Sequence, residues 1–190
     1  MKPLRSSFVP PLAAMLLAAS SGAIAEGVLI DKSEIRFVSK QMGASVEGRF
    51  RRWKANVDFR LGDLDKSKAN LEIELASIDL ASEATEAETR RPAWFDTAKF
   101  PVATFTSSAI RALGGDRYEI AGMLAMKGVA KEVVVPVALR KDAAGNAVAE
   151  GQFTLKRLEF KIGEGVWSDT DAVANDVVVR VRMVLPPVSQ

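Results

Sequence analysis

The 190-residue chain contains no cysteine and no histidine. It therefore has no disulfide, no thiolate nucleophile, no imidazole base, no Ser-His-Asp triad and none of the usual zinc or haem ligands. Glycoside hydrolysis needs only two carboxylates, but Asp79, Glu83, Asp96, Glu164 and Asp169 form no pair that is marked out by its spacing. No Gly-rich phosphate loop or nucleophile elbow is present. The sequence predicts a protein that is not an enzyme and has no catalytic residues.

One acidic loop, Ser168-Asp169-Thr170-Asp171, raises the question of a calcium site. Calcium takes six or more oxygen ligands in a defined geometry. Two aspartates outside an EF-hand loop give weak support for such a site. We therefore interpret the loop as a plain turn and predict no bound metal.

The first 25 residues differ from the rest of the chain. Lys2 and Arg5 form a basic start, residues 8–19 are almost wholly apolar, and Ala23-Ile24-Ala25 is a small-x-small motif. This order is typical of a secretory signal peptide, and the apolar run is shorter than the about 20 residues that span a bilayer. We predict a signal peptide over residues 1–25, cleaved after Ala25, and one mature domain over residues 26–190. A retained membrane anchor is the alternative.

The mature domain is predicted to be electrically neutral. The chain has 26 basic and 24 acidic residues, and two of the basic ones, Lys2 and Arg5, lie in the signal segment. Nucleic-acid binding requires a basic face, and anionic membranes attract polybasic segments. We therefore expect no nucleic-acid partner and no stable membrane insertion after cleavage.

Alternation of apolar and polar residues dominates the mature sequence. Leu71, Ile73 and Leu75 alternate with polar neighbours, and residues 177–185 repeat the pattern. A period of two is typical of half-buried strands. Lys127-Gly128 separates two strongly alternating runs and predicts a tight hairpin.

Two long stretches change parity partway along. Residues 46–50 place their apolar side chains on one parity and residues 53–59 on the other, and the same change occurs between residues 153–155 and residues 158–162. A slip of one residue turns every following side chain to the opposite face. Each stretch is expected to contain a β-bulge or bend, with two strands joined by a short turn as the alternative.

A single helix is predicted over residues 82–91. Ser82 is a suitable N-cap, acidic residues occupy the first turns, and Arg90 and Arg91 lie at the end, before Pro92. With about eight β-runs, this composition favours an antiparallel barrel or sandwich. An eight-stranded barrel is either filled by side chains or holds one small ligand.

Several short motifs occur together in the mature chain. They are residues 37–43 (FVSKQMG), 46–50 (VEGRF), 77–79 (SID), 94–96 (WFD) and 118–131, which contains Tyr-Glu-Ile-Ala-Gly and Lys-Gly-Val-Ala-Lys. In this order and spacing, over residues 27–185, the chain resembles the YceI-like family.

The resemblance implies an all-β, lipocalin-like, extended antiparallel eight-stranded barrel with one short helix near residues 82–91. It also implies a periplasmic carrier of a polyisoprenoid or isoprenoid quinone, without another cofactor, and it is compatible with a homodimer. The alternative is a non-catalytic interaction or stress-response module with a filled barrel. The chain departs from the family pattern at Gln41 and over residues 85–89, where many members carry histidine.

The candidate ligand-binding residues are apolar side chains on the predicted strands and after the helix, with ordinary core packing as the alternative for each. They are Phe37, Val46, Phe50, Trp53, Val57, Phe59, Leu71, Ile73, Leu75, Trp94, Phe95, Phe105, Tyr118, Ile120 and Phe160.

Arginines cluster on one predicted strand and at the end of the predicted helix. Arg49, Arg51, Arg52, Arg90 and Arg91 could hold a pyrophosphate head group, because a guanidinium donates two parallel hydrogen bonds. A solvated charged face is the alternative.

Overall fold

Eleven antiparallel strands form one curled sheet in residues 24–187, the part of the chain that the computed structural model describes. The strands are β1 (Ile24–Glu26), β2 (Glu34–Gln41), β3 (Ala44–Phe50), β4 (Trp53–Arg60), β5 (Lys68–Glu74), β6 (Ile78–Asp79), β7 (Val102–Gly114), β8 (Arg117–Met126), β9 (Val129–Lys141), β10 (Ala147–Lys156) and β11 (Asp176–Leu185). One α-helix, α1 (Glu83–Thr89), accompanies them. Short 3-10 turns cover Ile30–Lys32, Leu64–Lys66, Leu75–Ser77, Arg157–Phe160 and Gly165–Ser168.

Residues 1–23 of the predicted signal peptide lie outside the described residues. Its predicted cleavage after Ala25 falls within β1, which pairs with residues 58–60 of β4. Signal cleavage therefore stays a prediction. Across residues 24–187, no helix has the length and apolarity that crossing a membrane requires.

The sheet curls because β3 and β4 are consecutive in the chain but lie near opposite ends of the strand order. The strand order is β1-β4-β5-β7-β8-β9-β10-β11-β2-β3-β6. β3 pairs with β2, and β4, which follows after only two residues, pairs with β5. If β3 and β4 are taken as one bent strand and the short β1 and β6 are set aside, eight long strands remain. The predicted all-β, barrel-like class is confirmed, although the sheet has eleven strands rather than eight.

The bend between β3 and β4 is held by a buried serine. Ser77 Oγ accepts a hydrogen bond from the Arg52 amide at 3.0 Å and donates to the Glu74 carbonyl at 2.6 Å. The Ser77 carbonyl accepts a second bond, from the Arg51 amide at 3.0 Å. The predicted bend in this stretch is therefore present, and one side chain satisfies the backbone where the ladder changes partner.

Replacing Ser77 with alanine is expected to destabilise the fold by about 1–2 kcal/mol, because the Arg52 amide would lose its partner at a partly buried site. Urea unfolding measures the change. Ser108→Ala, at an exposed serine of β7, is the matched control and should leave stability nearly unchanged. Equal stability of the two variants would show that the bend does not depend on Ser77.

The predicted hairpin and helix are confirmed. Lys127 and Gly128 link β8 to β9 with φ angles of 49° and 74°, and two positive φ values are what a two-residue type I′ turn requires. In α1, Ser82 is the N-cap, and its side chain accepts a bond from the Thr85 amide at 3.4 Å.

The second change of parity has a different cause from the predicted bulge or bend, which is wrong for this stretch. β10 pairs with β9 only up to Gly151 and ends at Lys156, where the 3-10 turn Arg157–Phe160 begins. β9 and β10 diverge beyond that point. A buried cluster packs at this end of the barrel: Leu75, Ala103, Leu124, Met126, Phe160 and Ile162.

Candidate ligand cavity

The concave face of the sheet encloses a cavity of about 480 Å³. Small-molecule pockets are typically about 300–1,000 Å³ and mainly apolar. The walls are alternate residues of most of the long strands, since every second side chain of a strand points inward. The lining is almost wholly aliphatic and aromatic, as a site for an apolar molecule would be.

Thirteen of the fifteen predicted residues line this cavity. The structure brings together Phe37, Val46, Phe50, Val57, Phe59, Leu71, Ile73, Leu75, Trp94, Phe95, Phe105, Tyr118 and Ile120. Their contact with a ligand stays a prediction.

Trp53 and Phe160 do not line the cavity. Phe160 lies in the 3-10 turn that follows β10, is 2% exposed and belongs to the buried cluster. Trp53 is the half-buried first residue of β4, in the part of that strand that β1 does not pair.

The prediction missed most of the C-terminal wall. β9 and β11 contribute aliphatic side chains there: Val135, Val137, Leu139, Val179, Val181 and Met183. Their alternation was visible in the sequence, but valine alternation marks any half-buried strand and does not distinguish a cavity wall from a filled core.

One face of α1 covers part of the cavity. Ala84, Thr85, Glu88 and Thr89 line it, and their spacing of one and four residues places them on the same side of a helix. Gln41, at the end of β2, also lines it and is exposed, as are Ala84 and Thr85. The cavity therefore reaches the surface between the tip of β2 and the start of α1.

Both positions that depart from the family pattern lie at this opening. Gln41 stands on one side, and residues 85–89 form most of α1 on the other. The polar groups at the mouth are therefore an amide, hydroxyls and a carboxylate instead of an imidazole.

A hydrogen bond ties α1 to a distant loop at the cavity. Trp167 Nε1 donates to Glu88 Oε1 at 3.2 Å, and the Trp167 ring lies 5.6 Å from the ring of Trp94, centroid to centroid. Trp94 and Phe95 are half-buried and also pack against the buried cluster. These two predicted ligand-binding residues thus form part of the cavity wall.

The clustered arginines are engaged in ion pairs. Arg49 and Arg51 both bind the carboxylate of Asp79, Arg52 binds Glu74, and Arg90 and Arg91 pair with acids of α1. None is left free for a pyrophosphate, so the structure favours the alternative of a solvated, paired surface.

A buried glutamate attaches α1 to the barrel. Glu86 is 8% exposed. Its Oε1 accepts a hydrogen bond from the Leu80 amide at 3.0 Å and lies 3.6 Å from Arg51 Nη2. Arg51 lies at the bend between β3 and β4 and also binds Asp79 of β6. Its guanidinium therefore connects the bend to β6 and to Glu86 of α1.

Asp79 is expected to make folding sensitive to acid. Hydrogen bonds from Arg51 and Arg49 lower the pKa of Asp79 to about 2. Because the pKa of Asp79 is lower in the folded state than in the unfolded state, ionised Asp79 stabilises the fold above about pH 4. This contribution to the free energy of unfolding is lost as the pH falls towards 2. Urea unfolding at several pH values should show a smaller loss between pH 4 and pH 2 for Asp79→Asn than for the unaltered protein.

The control for this prediction is Asp116→Asn, at an exposed aspartate in the turn between β7 and β8. It should keep the acid dependence of the unaltered protein. Identical acid profiles for Asp79→Asn and the unaltered protein would contradict the assignment.

Arg157 is a buried residue beside the cavity that the sequence did not indicate. It is 2% exposed, and its Nε donates to the Ala174 carbonyl, Nη1 to Ile162 and Gly163, and Nη2 to Trp167 and Val173, at 2.7–3.0 Å. All five donors of the guanidinium are thus used.

The guanidinium of Arg157 is held without an acidic partner among residues 24–187. Burial lowers the pKa of Arg157, but an arginine remains protonated in proteins. Arg157 lines the cavity and lies 5.8 Å from the Trp94 ring centroid. It therefore fixes the loops that carry Trp167 and Val173 against the cavity.

In residues 24–187, no group of three or more acidic side chains is placed to hold a metal ion. Asp169, in the acidic loop, instead accepts a hydrogen bond from the Asp171 amide at 2.9 Å. This arrangement fits the interpretation of the loop as a turn.

A curled antiparallel sheet around an apolar cavity, with a helix at its opening, defines a lipocalin-like β-barrel. The family model of the YceI-like domain matches residues 28–185. The chain therefore belongs to the YceI-like family.

Relatives and solved structures agree with this assignment. The chain is 28% identical over 180 residues to a UPF0312 protein of Azotobacter vinelandii, covering 90% of this chain and 93% of the relative. It is 29% identical over 164 residues to protein YceI of Escherichia coli O157:H7, covering 80% and 85%. The crystal structure of Burkholderia cenocepacia BcnA, 36% identical, has a TM-score of 0.79 and covers 83% of this chain and 98% of that one.

A more distant structure shares the fold alone. A polyisoprenoid binding domain from Saccharophagus degradans, implicated in plant cell wall breakdown, is 17% identical with a TM-score of 0.67. The match covers 88% of this chain and 99% of that one.

Proposed function

We propose that this protein is a non-catalytic periplasmic carrier that holds the chain of a polyisoprenoid or isoprenoid quinone in its barrel. The observation that carries the proposal is the cavity of about 480 Å³, enclosed by aliphatic and aromatic side chains. The description of the Saccharophagus domain as polyisoprenoid binding supports the same class of ligand.

The energetics are adequate for such a ligand. Burying about 500 Å² of apolar ligand surface at about 25 cal/mol/Å² gives roughly 12 kcal/mol. Association costs about 4–15 kcal/mol, so useful affinity requires a cavity that exists before the ligand arrives. The enclosed space in this barrel meets that requirement and favours a carrier over an interaction module with a filled interior.

Native mass spectrometry of the full chain, expressed with its N-terminal segment and purified from the periplasm of a Gram-negative host, tests the proposal. We expect a protein mass that begins at Glu26, together with a bound species of prenyl-lipid mass. Lipid-free protein should take up added menaquinone-4, a short prenyl quinone. Protein that carries no lipid and takes up neither menaquinone-4 nor squalene would refute the carrier function.

A further inference from the structure

Two apolar side chains protrude into solvent beside the opening of the cavity. Met42 is 84% exposed and Val166 is 87% exposed, whereas the next most exposed large apolar side chain in residues 24–187, that of Leu61, is 53% exposed. Met42 directly follows Gln41 at the opening. Val166 directly precedes Trp167, whose indole is bound to the helix that covers the cavity. We call Met42 and Val166 the apolar tips.

The fold gives no reason for a methionine at position 42. Met42 and Gly43 form the two-residue turn between β2 and β3, with φ angles of 48° and 80°. Two positive φ values are typical of a type I′ turn, which favours Asn-Gly or Asp-Gly. A bulky residue with a positive φ is uncommon, and the exposed side chain gains no packing in return. An apolar side chain that both the backbone and the solvent disfavour is expected to serve a contact outside the chain.

Hydrogen bonds hold both apolar tips in place. The Met42 amide donates to the Ala172 carbonyl at 2.8 Å, which joins the β2–β3 turn to the loop that follows Trp167. Val166 lies in the 3-10 turn Gly165–Ser168, next to Trp167, whose carbonyl accepts a bond from Arg157 Nη2 at 2.7 Å. Side chains on an ordered backbone lose less conformational entropy when they bind a surface.

The charges beside the opening disfavour an anionic surface. Lys40 lies before the β2–β3 turn, Glu83 begins α1, and Asp169 and Asp171 lie in the loop after Trp167. The arginines at the end of α1 are paired with acids of that helix. Anionic lipids attract polybasic segments, and this rim has more carboxylates than free cations. The apolar tips and their rim therefore fit a surface with an apolar interior and no net charge, such as a zwitterionic bilayer.

We propose that the apolar tips dock the opening of the barrel on a phospholipid bilayer, from which the ligand chain passes into the cavity. This inference rests on the proposed carrier function, because a polyisoprenoid is insoluble in water and has to leave a membrane before it reaches the cavity. With Met42 and Val166 in the bilayer interface, the opening between β2 and α1 faces the lipid. The ligand then enters without crossing water.

The docking is transient. One methionine and one valine bury less apolar surface than a myristoyl chain, which itself gives only marginal, reversible membrane binding. The protein therefore meets a membrane, exchanges its ligand and leaves, as a mature chain without stable membrane insertion would. Since the contact is made and released in each exchange, the apolar tips alter the rate of transfer and leave the final partition of the ligand between protein and bilayer unchanged.

Stopped-flow mixing of the lipid-free mature chain with phosphatidylcholine vesicles that contain menaquinone-4 tests the proposal. The quinone quenches the fluorescence of Trp94 and Trp167, which line the cavity. The rate constant for loss of quinone from the vesicles should rise with protein concentration, whereas release through water would give one constant value. Met42→Ser/Val166→Ser should lower the transfer rate at least about tenfold, because two apolar contacts are lost. The final amount of bound quinone should stay the same.

Two controls separate docking from binding. Leu113→Ser removes a half-exposed leucine at the β7–β8 turn, at the opposite end of β8 from the buried cluster, and should leave the transfer rate unchanged. Menaquinone-4 added from octyl glucoside micelles bypasses the bilayer, and the double variant should take it up as the unaltered protein does.

The outcomes distinguish this inference from the carrier function. If the unaltered protein takes up no quinone from micelles, the carrier function itself fails. Uptake from micelles together with equal vesicle rates for the double variant and the unaltered protein would overturn the docking. A transfer rate constant that does not depend on protein concentration, or no transfer from vesicles that hold no other protein, would overturn it as well.

Discussion

Tryptophan in place of Ala149 is expected to weaken the binding of menaquinone-4 strongly while the fold remains intact. Ala149 lies on β10 between Leu139 of β9 and Met183 of β11, its two register partners, and all three line the cavity. An indole at this position projects into the space that the ligand chain would occupy. If it removes about 100 Å² of apolar contact, affinity falls by about 2.5 kcal/mol, or roughly 50–100-fold.

The stability of Ala149→Trp should change little, because the new ring enters an existing space instead of an already filled core. Thr154→Trp is the matched control: it adds the same ring to the same strand at an exposed, outward position. Lipid extraction and native mass spectrometry after incubation with menaquinone-4 compare the two. Full uptake by Ala149→Trp would show that this cavity is not the binding site.

Removal of the Arg157 guanidinium is expected to cost more stability than any other single change considered in this fold. In Arg157→Met, five backbone carbonyls lose their donors at buried or partly buried positions, and the apolar side chain has no donor to replace them. A buried acceptor that is left without its donor costs about 1–3 kcal/mol, so the loss over several carbonyls is expected to reach about 3–5 kcal/mol. For a chain of this size, the melting temperature should fall by roughly 6–20 °C.

Lysine should not rescue this site, because three donors on one flexible nitrogen cannot reach carbonyls that surround a planar group. Gly163→Ala should have a similar effect, since a Cβ there would lie 2.1 Å from Arg157 Nη1. Arg180→Met is the control, because Arg180 is exposed and, within residues 24–187, its side chain hydrogen-bonds only Gln152. Calorimetry that finds Arg157→Met as stable as Arg180→Met would contradict this account.

Much of the fold could be predicted from the period of two. Alternation identifies which side chains of a strand share a face. Of the residues that were selected in this way, all except Trp53 and Phe160 line the cavity. The hairpin at Lys127-Gly128 and the cap at Ser82 follow from local backbone chemistry, so they too could be predicted.

The features that could not be predicted depend on tertiary contacts. Arg157 shares the parity of Phe153 and Leu155, which line the cavity, but a charged residue at the end of an alternating run does not indicate burial. The strand ends at Lys156 and the 3-10 turn begins at Arg157, and the side chain is buried because backbone carbonyls of later segments accept its hydrogen bonds. Likewise, a parity change cannot distinguish the bend at Arg51 from the divergence of β10 from β9.

The carbonyl ring around Arg157 resembles an ion-coordination shell in which the cation is covalently attached to the chain. Oxygen atoms of Ile162, Gly163, Trp167, Val173 and Ala174 surround it, much as backbone oxygens surround a bound metal. A tethered cation cannot be chelated, exchanged or diluted. The loops beside the lipid cavity are therefore organised from the moment the chain folds, whatever the divalent-ion content of the surrounding medium.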